Sequence, residues 1–180
     1  SIINMIKITY KVLAILCILL TSLMLPGVCK DTSTSNSNID IQIVKIEELS
    51  ELIKPPNGGF TILNLWATWC LPCVKELPHF VEFYKKHGTR TVKICLISVE
   101  GKESEEQTLK PFLEKHPIPF RVYLIEKGTP EEIESVLKTK ISGALPITII
   151  YASNGEIIKK FEGPITLEEL EKATNLSPTK

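Results

Sequence analysis

Two cysteines, Cys70 and Cys73, stand two residues apart in Trp69-Cys70-Leu71-Pro72-Cys73. At the start of a helix this spacing brings the two β-carbons within the range of a disulfide bond. Cys70 would face free backbone N–H groups and the positive end of the helix dipole, which favour its thiolate and make it the expected nucleophile. Cys73, about one turn further along, would resolve a mixed disulfide from inside. Pro72 is compatible with a first helical turn, where its nitrogen needs no hydrogen bond.

Two other uses of this pair remain open, namely a static disulfide and half of a metal site. A zinc site needs four ligands, yet His79, His87 and His116 are scattered along the chain and Cys95 lies in a predicted buried strand. A static bridge across so short a loop would add little stability by the chain-entropy argument. The pattern therefore favours a redox cycle that needs no metal and no cofactor.

The elements around the pair alternate between strands and helices. A nearly continuous apolar run at 60–67 is typical of a strand covered on both faces, and apolar residues recurring at helical spacing over 71–87 predict a helix that ends at Gly88. Ser153-Asn154-Gly155 is predicted to join strands at 147–151 and 156–161 as a hairpin, since Asn-Gly is a strong signal for a two-residue hairpin turn. Other strands are predicted near 41–46, 91–99 and 120–125, and other helices at 47–54, 103–115, 130–138 and from Thr166 onward.

This order of elements predicts an α/β fold. We expect a central mixed sheet with helices on both faces, followed by a C-terminal β-hairpin plus helix. The cysteine pair would lie at the carboxyl end of a central strand, which is the edge where open sheets of this kind carry their sites.

The first thirty residues have the pattern of an export signal. Lysines precede an uncharged, largely apolar run at 12–25, which is short for a membrane span of about 20 residues. Cys29 ends a segment that resembles a lipoprotein box except for Val28, so lipidation at Cys29, cleavage near Gly27 and an uncleaved anchor all stay open. We predict a signal peptide or membrane anchor over 1–29 and a polar linker over 30–38. The folded domain would cover 39–180 and lie outside the cytosol.

The charge composition argues against nucleic acid as a partner. Lysine and arginine together number 21 and are balanced by 21 acidic residues, so no global field would attract a polyanion. Arg90 and Arg121 are the only arginines, which leaves little of the bidentate chemistry used on phosphates and guanines. We therefore expect no nucleic-acid partner.

The run LNLWATWCLPCVKELP at 63–78 resembles the thioredoxin superfamily, in particular its extracytoplasmic TlpA/ResA-like branch. GALPIT at 143–148 and NGE at 154–156 support the same resemblance, which covers the order of elements from about 41 to 176. The resemblance implies a thioredoxin fold with Trp69 and Pro72 as supporting residues. It also implies that Pro146 is a cis proline against the disulfide, so that the backbone of the preceding residue can pair with a substrate strand.

Two positions differ from cytosolic thioredoxin. The buried aspartate of that protein is replaced by Asn64, so this proton acceptor is missing. In the TlpA/ResA-like branch, an acid at the position of Glu76 belongs to the active-site cavity and can relay a proton. The alternative for Glu76 is an exposed first-turn glutamate that interacts favourably with the helix dipole. Both interpretations stay open at this point.

The resemblance implies an extracytoplasmic thiol-disulfide oxidoreductase that reduces disulfides of exported proteins, apocytochrome c among them. A membrane thiol reductase would supply the electrons, and the N-terminal segment would attach the protein to the membrane. One alternative is a disulfide-forming oxidase, although DsbA-type oxidases carry a sizeable helical insertion where residues 101–138 hold two short predicted helices. The other is a non-catalytic client- or copper-binding protein, although copper-handling relatives on this fold use a wider cysteine spacing and a distant histidine.

Overall fold

A computed structural model describes residues 39–56, 58–88 and 91–176. The predictions for the signal or anchor, for lipidation at Cys29 and for the polar linker at 30–38 lie outside these described residues. Within them, no helix has the length and apolar character needed to cross a membrane.

The centre of the fold is a six-stranded mixed sheet with the strand order β1-β4-β3-β2-β5-β6. The first four strands in this order are parallel to their neighbours, whereas β5 runs antiparallel to β2 and to β6. The central position of β2 agrees with its nearly continuous apolar sequence. The strands are β1 (Ile41–Val44), β2 (Phe60–Trp66), β3 (Val92–Ser98), β4 (Val122–Ile125), β5 (Ile147–Tyr151) and β6 (Ile157–Glu162).

Helices cover both faces of the sheet, as predicted. The helices are α1 (Leu49–Leu52), α2 (Leu71–His87), α3 (Lys110–Lys115), α4 (Pro130–Leu137) and α5 (Leu167–Thr174). A 3₁₀ turn at Ile46–Glu48 precedes α1, and a π-helical turn at Glu105–Leu109 precedes α3. One apolar cluster joins the sheet to α2, α3 and α5, and a second joins the opposite face to α1 and α4.

Strand β2 contributes side chains to both clusters because successive residues point to opposite faces of a sheet. Ile62 and Trp66 belong to the cluster under α2, whereas Leu63 and Leu65 belong to the cluster on the other face. Asn64 lies between Ile62 and Trp66 in this alternation, so its polar side chain faces α2.

The loop between β5 and β6 consists of Ser153, Asn154 and Gly155, the three residues predicted to join the strands, although Asn-Gly by itself favours a two-residue turn. The N–H of Gly155 donates to the carbonyl of Ala152 at 2.8 Å, and Gly155 alone in this loop has a positive φ, at 80°. The side chain of Asn154 accepts a hydrogen bond from the N–H of Glu156 at 3.0 Å, which stabilises the turn without a left-handed Asn154. The result is a three-residue loop that ends in a left-handed glycine.

Candidate active site

The cysteine pair forms a disulfide at the N-terminus of α2. Cys70 is the N-cap residue, its Cα lies 5.2 Å from that of Cys73, and its Sγ accepts a hydrogen bond from the Cys73 N–H at 3.3 Å. Cys70 is 6% exposed, whereas Cys73 is 0% exposed. Cys70 is thus the more exposed residue of the pair, and Cys73 is fully buried beneath it in the first turn of α2.

The segment between β2 and α2 holds Cys70 at the sheet edge. The Cys70 N–H donates to the carbonyl of Ala67 at 3.1 Å, and the Cys70 carbonyl accepts from the N–H of Val74 at 3.0 Å. Pro72 lies in the first turn of α2, where it leaves no backbone hydrogen bond unmade. Cys70 is thus placed against the positive end of a 17-residue helix, which favours its thiolate.

An exposed apolar surface surrounds the nearly buried Cys70. Trp69 is 72% exposed and Leu71 is 63% exposed, although both are large apolar residues. An open groove of about 420 Å³ continues from Trp69 along Val99, Ile133 and Leu145. Exposed apolar surface of this kind marks sites of interaction with other molecules.

Pro146 follows a cis peptide bond, which confirms the prediction made from the resemblance. It is buried, and its carbonyl accepts a hydrogen bond from the N–H of Gly163 at 2.9 Å. Leu65 of β2 pairs with Ile147 of β5 in an antiparallel register. The segment before β5 and the segment after β2 therefore leave the sheet at the same edge, and this places Pro146 on the side of the molecule that carries Cys70.

Glu76 is buried, with 1% of its surface exposed, so it is not the exposed first-turn glutamate that the sequence left open. Its Oε1 accepts from the Asn64 side-chain amide at 2.7 Å, and its Oε2 accepts from the N–H of Ile165 at 2.8 Å. Burial raises the pKa of Glu76 to about 7, and the hydrogen bonds from Ile165 and Asn64 oppose that rise. Glu76 follows Cys73 by one helical turn, so the two residues are neighbours along one face of α2. A carboxyl with a pKa of about 7 is partly ionised near neutral pH.

Thr148 joins this buried polar group and was missed by the sequence analysis. The sheet register places it directly opposite Asn64, and its Oγ1 accepts from the Asn64 amide at 3.1 Å. Its sequence signal is a threonine two residues after Pro146, in a strand whose other residues are isoleucine and tyrosine.

Glu100 also belongs to the site and was missed. Its carboxylate accepts from the N–H of Thr68 at 3.0 Å, from the Thr68 hydroxyl at 2.5 Å and from the Ser98 hydroxyl at 2.9 Å. These bonds tie the segment that leads to Cys70 to the end of β3. A polar residue just beyond the carboxyl end of a buried parallel strand is the signal that could have indicated it.

A comparison with protein families matches the AhpC/TSA family over residues 31–160. The chain belongs to this family. Sporulation thiol-disulfide oxidoreductase A of Bacillus subtilis is 29% identical over 149 residues, which are 83% of this chain and 87% of that protein. The thiol-disulfide oxidoreductase ResA of Bacillus cereus is 33% identical over 132 residues, 73% of this chain and 68% of that protein.

Solved structures agree with these relatives. The crystal structure of StoA from Bacillus subtilis superposes with a TM-score of 0.53 and 31% identity, covering 65% of this chain and 83% of that chain. The thioredoxin-related protein of Neisseria meningitidis has a TM-score of 0.57 and 25% identity, covering 67% of this chain and 85% of that chain. The predicted thioredoxin fold and the resemblance to ResA-like proteins are thereby confirmed, and the chain is a thiol-disulfide oxidoreductase.

In this member of the AhpC/TSA family, Cys95 is a core residue, as predicted. It is 0% exposed, its Sγ lies 3.7 Å from the carbonyl of Leu52, and burial raises the pKa of its thiol to about 12. The histidines are also dispersed, since His87 contacts Glu171 while His116 stacks on Phe112. Over 39–56, 58–88 and 91–176, no three His, Cys, Asp or Glu side chains are grouped as metal ligands would be.

Replacing Glu100 with alanine is expected to lower the free energy of unfolding by about 2 kcal/mol, because three hydrogen bonds to a partly buried carboxylate are lost. Urea denaturation of the variant and the parent protein measures this difference. Glu103→Ala is the matched control, since Glu103 is an exposed glutamate three residues away. Equal losses of stability in the two variants would show that Glu100 does not brace the segment before Cys70.

Proposed function

We propose that this protein reduces disulfides of exported proteins outside the cytosol, with Cys70 as nucleophile and Cys73 as resolving cysteine. The observation that carries the proposal is the arrangement of the pair at the start of α2. Cys70, the more exposed residue of the pair, is the N-cap of α2, exposed Trp69 and Leu71 flank it, and the buried Glu76 lies one turn behind Cys73. This arrangement supplies a nucleophile, a surface for an extended client and a proton carrier.

The reaction is two successive thiol-disulfide exchanges. The Cys70 thiolate attacks one sulfur of the client disulfide, so that a Cys70–client disulfide forms and the other client sulfur leaves as a thiolate. The Cys73 thiolate then attacks Cys70 Sγ, which forms the Cys70–Cys73 disulfide and releases the second client thiolate. Two electrons pass from the dithiol to the client. A membrane thiol reductase would restore the dithiol by the same exchange in reverse.

Glu76 would carry the proton in the second exchange. Cys73 must lose its proton before it attacks, and the client thiolate gains one as it leaves. A carboxyl whose pKa is raised to about 7 by burial is partly ionised at neutral pH, so it can accept the first proton and return one later. A glutamate with an ordinary pKa would be a weaker base for the Cys73 thiol.

The reducing direction is supported by the segment between α2 and Pro146. It contains β3, β4 and the short helices α3 and α4, without the sizeable helical insertion of DsbA-type oxidases.

The proposal that the protein is exported is based on the apolar pattern at 12–25, and the proposal that apocytochrome c is among its clients is based on the family resemblance. Within the proposal, Trp69 and Leu71 contact the client, and Pro146 lies beside the reacting disulfide.

The equilibrium reduction potential of the Cys70–Cys73 pair tests the direction. The full chain is equilibrated in a series of dithiothreitol or glutathione buffers, and the reduced fraction is measured after thiol alkylation. We expect a reducing value, near the roughly −270 mV of thioredoxin or below. A value near about −120 mV, as for a strong oxidase, would contradict the reductase function and favour disulfide formation.

A further inference from the structure

Asn64 is the centre of a buried polar group, and one of its own atoms is left without a partner. The two hydrogens of its amide nitrogen serve Glu76 Oε1 at 2.7 Å and Thr148 Oγ1 at 3.1 Å. Asn64, Glu76 and Thr148 are all buried. Among the described residues, nothing donates a hydrogen bond to the buried Oδ1 of Asn64. A buried acceptor of this kind is destabilising, so its retention needs an explanation.

The carboxyl of Glu76 shows where a proton would add. Its Oε2 accepts from the backbone N–H of Ile165, which is a donor in every protonation state. Oε1 is therefore the oxygen that would carry the proton, and it faces Asn64. A protonated Oε1 is itself a donor, whereas the amide in its present orientation offers it another N–H. When the O–H of the protonated Glu76 is directed at the Asn64 amide, donor faces donor, and a change at Asn64 can relieve this.

A half-turn of the Asn64 amide removes this clash. The turn exchanges NH₂ and oxygen, which are nearly equal in size, so the neighbouring side chains need not repack. Oδ1 would then accept from the protonated Glu76 and from the Thr148 hydroxyl. Thr148 can take part in both arrangements because a hydroxyl both accepts and donates hydrogen bonds. The oxygen that is now unpartnered would gain two donors, whereas the NH₂ would give up both acceptors and take the present position of Oδ1. The half-turn is therefore favoured only while Glu76 is protonated, because an ionised carboxylate holds the NH₂ toward itself.

We propose that Asn64 is the positioning residue for Glu76, presenting its NH₂ to the ionised carboxylate and its carbonyl to the neutral acid, with Thr148 bonded in both orientations. Oε1 then has a suitable partner before and after each proton transfer, although the site is buried. The significance of this amide reorientation for catalysis rests on the proposed function, but the reorientation itself can be measured without a client. The proposal thus assigns a role to Asn64 and Thr148, whose hydrogen bonds are made to Glu76 and to each other and not to the reacting sulfur atoms.

The groups that face the Glu76 carboxyl are few. They are the Asn64 amide from β2 and the Ile165 N–H from the segment before α5, with Thr148 of β5 behind Asn64. No charged side chain contributes to the raised pKa of Glu76, which burial causes. Cys73 on α2 is the nearby group that titrates once the pair is reduced, so the test is made with the disulfide intact.

The first measurement is an NMR titration of the oxidised full chain across neutral pH. The Glu76 side-chain carbon and the Asn64 side-chain NH₂ resonances are followed together. We expect one shared midpoint, with the Asn64 hydrogens losing their hydrogen-bonded chemical shifts as Glu76 is protonated. In Glu76→Gln, the Asn64 resonances should not respond over this range. Asn64 resonances that stay constant while Glu76 titrates in the parent protein would overturn the proposal.

Two near-isosteric variants separate positioning from a structural role. Asn64→Leu removes the donor of the ionised carboxylate, so the pKa of Glu76 should rise by about one pH unit or more. Thr148→Val removes a partner that both orientations share, so the pKa should change much less. Equal shifts in both variants would mean that any lost hydrogen bond perturbs the site, which would overturn the proposal. If Asn64→Leu fails to fold, the parent titration decides. None of these measurements depends on the reduction of a client. A failure of the proposed reductase function can therefore be distinguished from a failure of the proposed role of Asn64.

Discussion

Replacing Cys70 with serine is expected to slow the reduction of a client disulfide by roughly a thousandfold or more, because a serine hydroxyl stays protonated at neutral pH and does not attack sulfur. Cys73→Ser should behave differently. It keeps the nucleophile at the N-cap of α2 but lacks the resolving thiol, so a Cys70–client mixed disulfide should accumulate. Reductase turnover with dithiothreitol as electron donor measures the first effect, and non-reducing mass spectrometry detects the second.

Cys95→Ala is the matched control for both cysteine variants. Cys95 is fully buried on the opposite face of the sheet from α2, and burial raises the pKa of its thiol to about 12, so its removal should leave turnover near that of the parent protein. A Cys70→Ser protein that still turns over at the parent rate would contradict the proposed chemistry. A mixed disulfide trapped by Cys70→Ser instead of Cys73→Ser would reverse the two roles.

Glu76 should make the stability of the oxidised protein fall as pH rises. Its pKa is about 7 in the folded protein and 4.5 in the reference state. The folded state therefore holds the proton over a range in which the unfolded chain has lost it. The stabilising contribution is complete below about pH 4.5 and is lost as pH rises through about 7. At about 1.36 kcal/mol per pH unit, the loss is about 3 kcal/mol.

Glu76→Gln isolates this contribution, since glutamine does not titrate. Free energies of unfolding of the parent and the variant are compared at about pH 4.5 and about pH 8. The difference between the two proteins should change by about 3 kcal/mol, with the parent losing stability relative to the variant at the higher pH. Glu114→Gln, the same substitution at an exposed position, is the matched control. A pH-independent difference for Glu76→Gln would show that its carboxyl titrates normally.

Local features were predictable because the residues that decide them are close together in the chain. The strand at Phe60–Trp66 and the helix at Leu71–His87 follow from apolar runs and spacing, and the disulfide follows from the two-residue separation of Cys70 and Cys73. The hairpin loop at Ser153-Asn154-Gly155 was predicted from the same kind of local signal, although its turn has three residues and not the two that Asn-Gly favours. The cis bond before Pro146 was predicted from a family resemblance and not from local composition.

The sequence by itself therefore determined the redox pair, the helix that positions it and the order of strands and helices. Only the tertiary structure decided the environment of Glu76. Its partners Asn64 and Ile165 are 12 and 89 residues away, and Thr148 lies 84 residues from Asn64. A pKa depends on burial and on the hydrogen bonds that reach the ionised group, and both come here from segments that meet only when the sheet and α5 close over α2. For that reason the sequence could identify the sulfur chemistry and name Glu76 as a candidate proton carrier, but only the tertiary structure decided between its buried and its exposed interpretation.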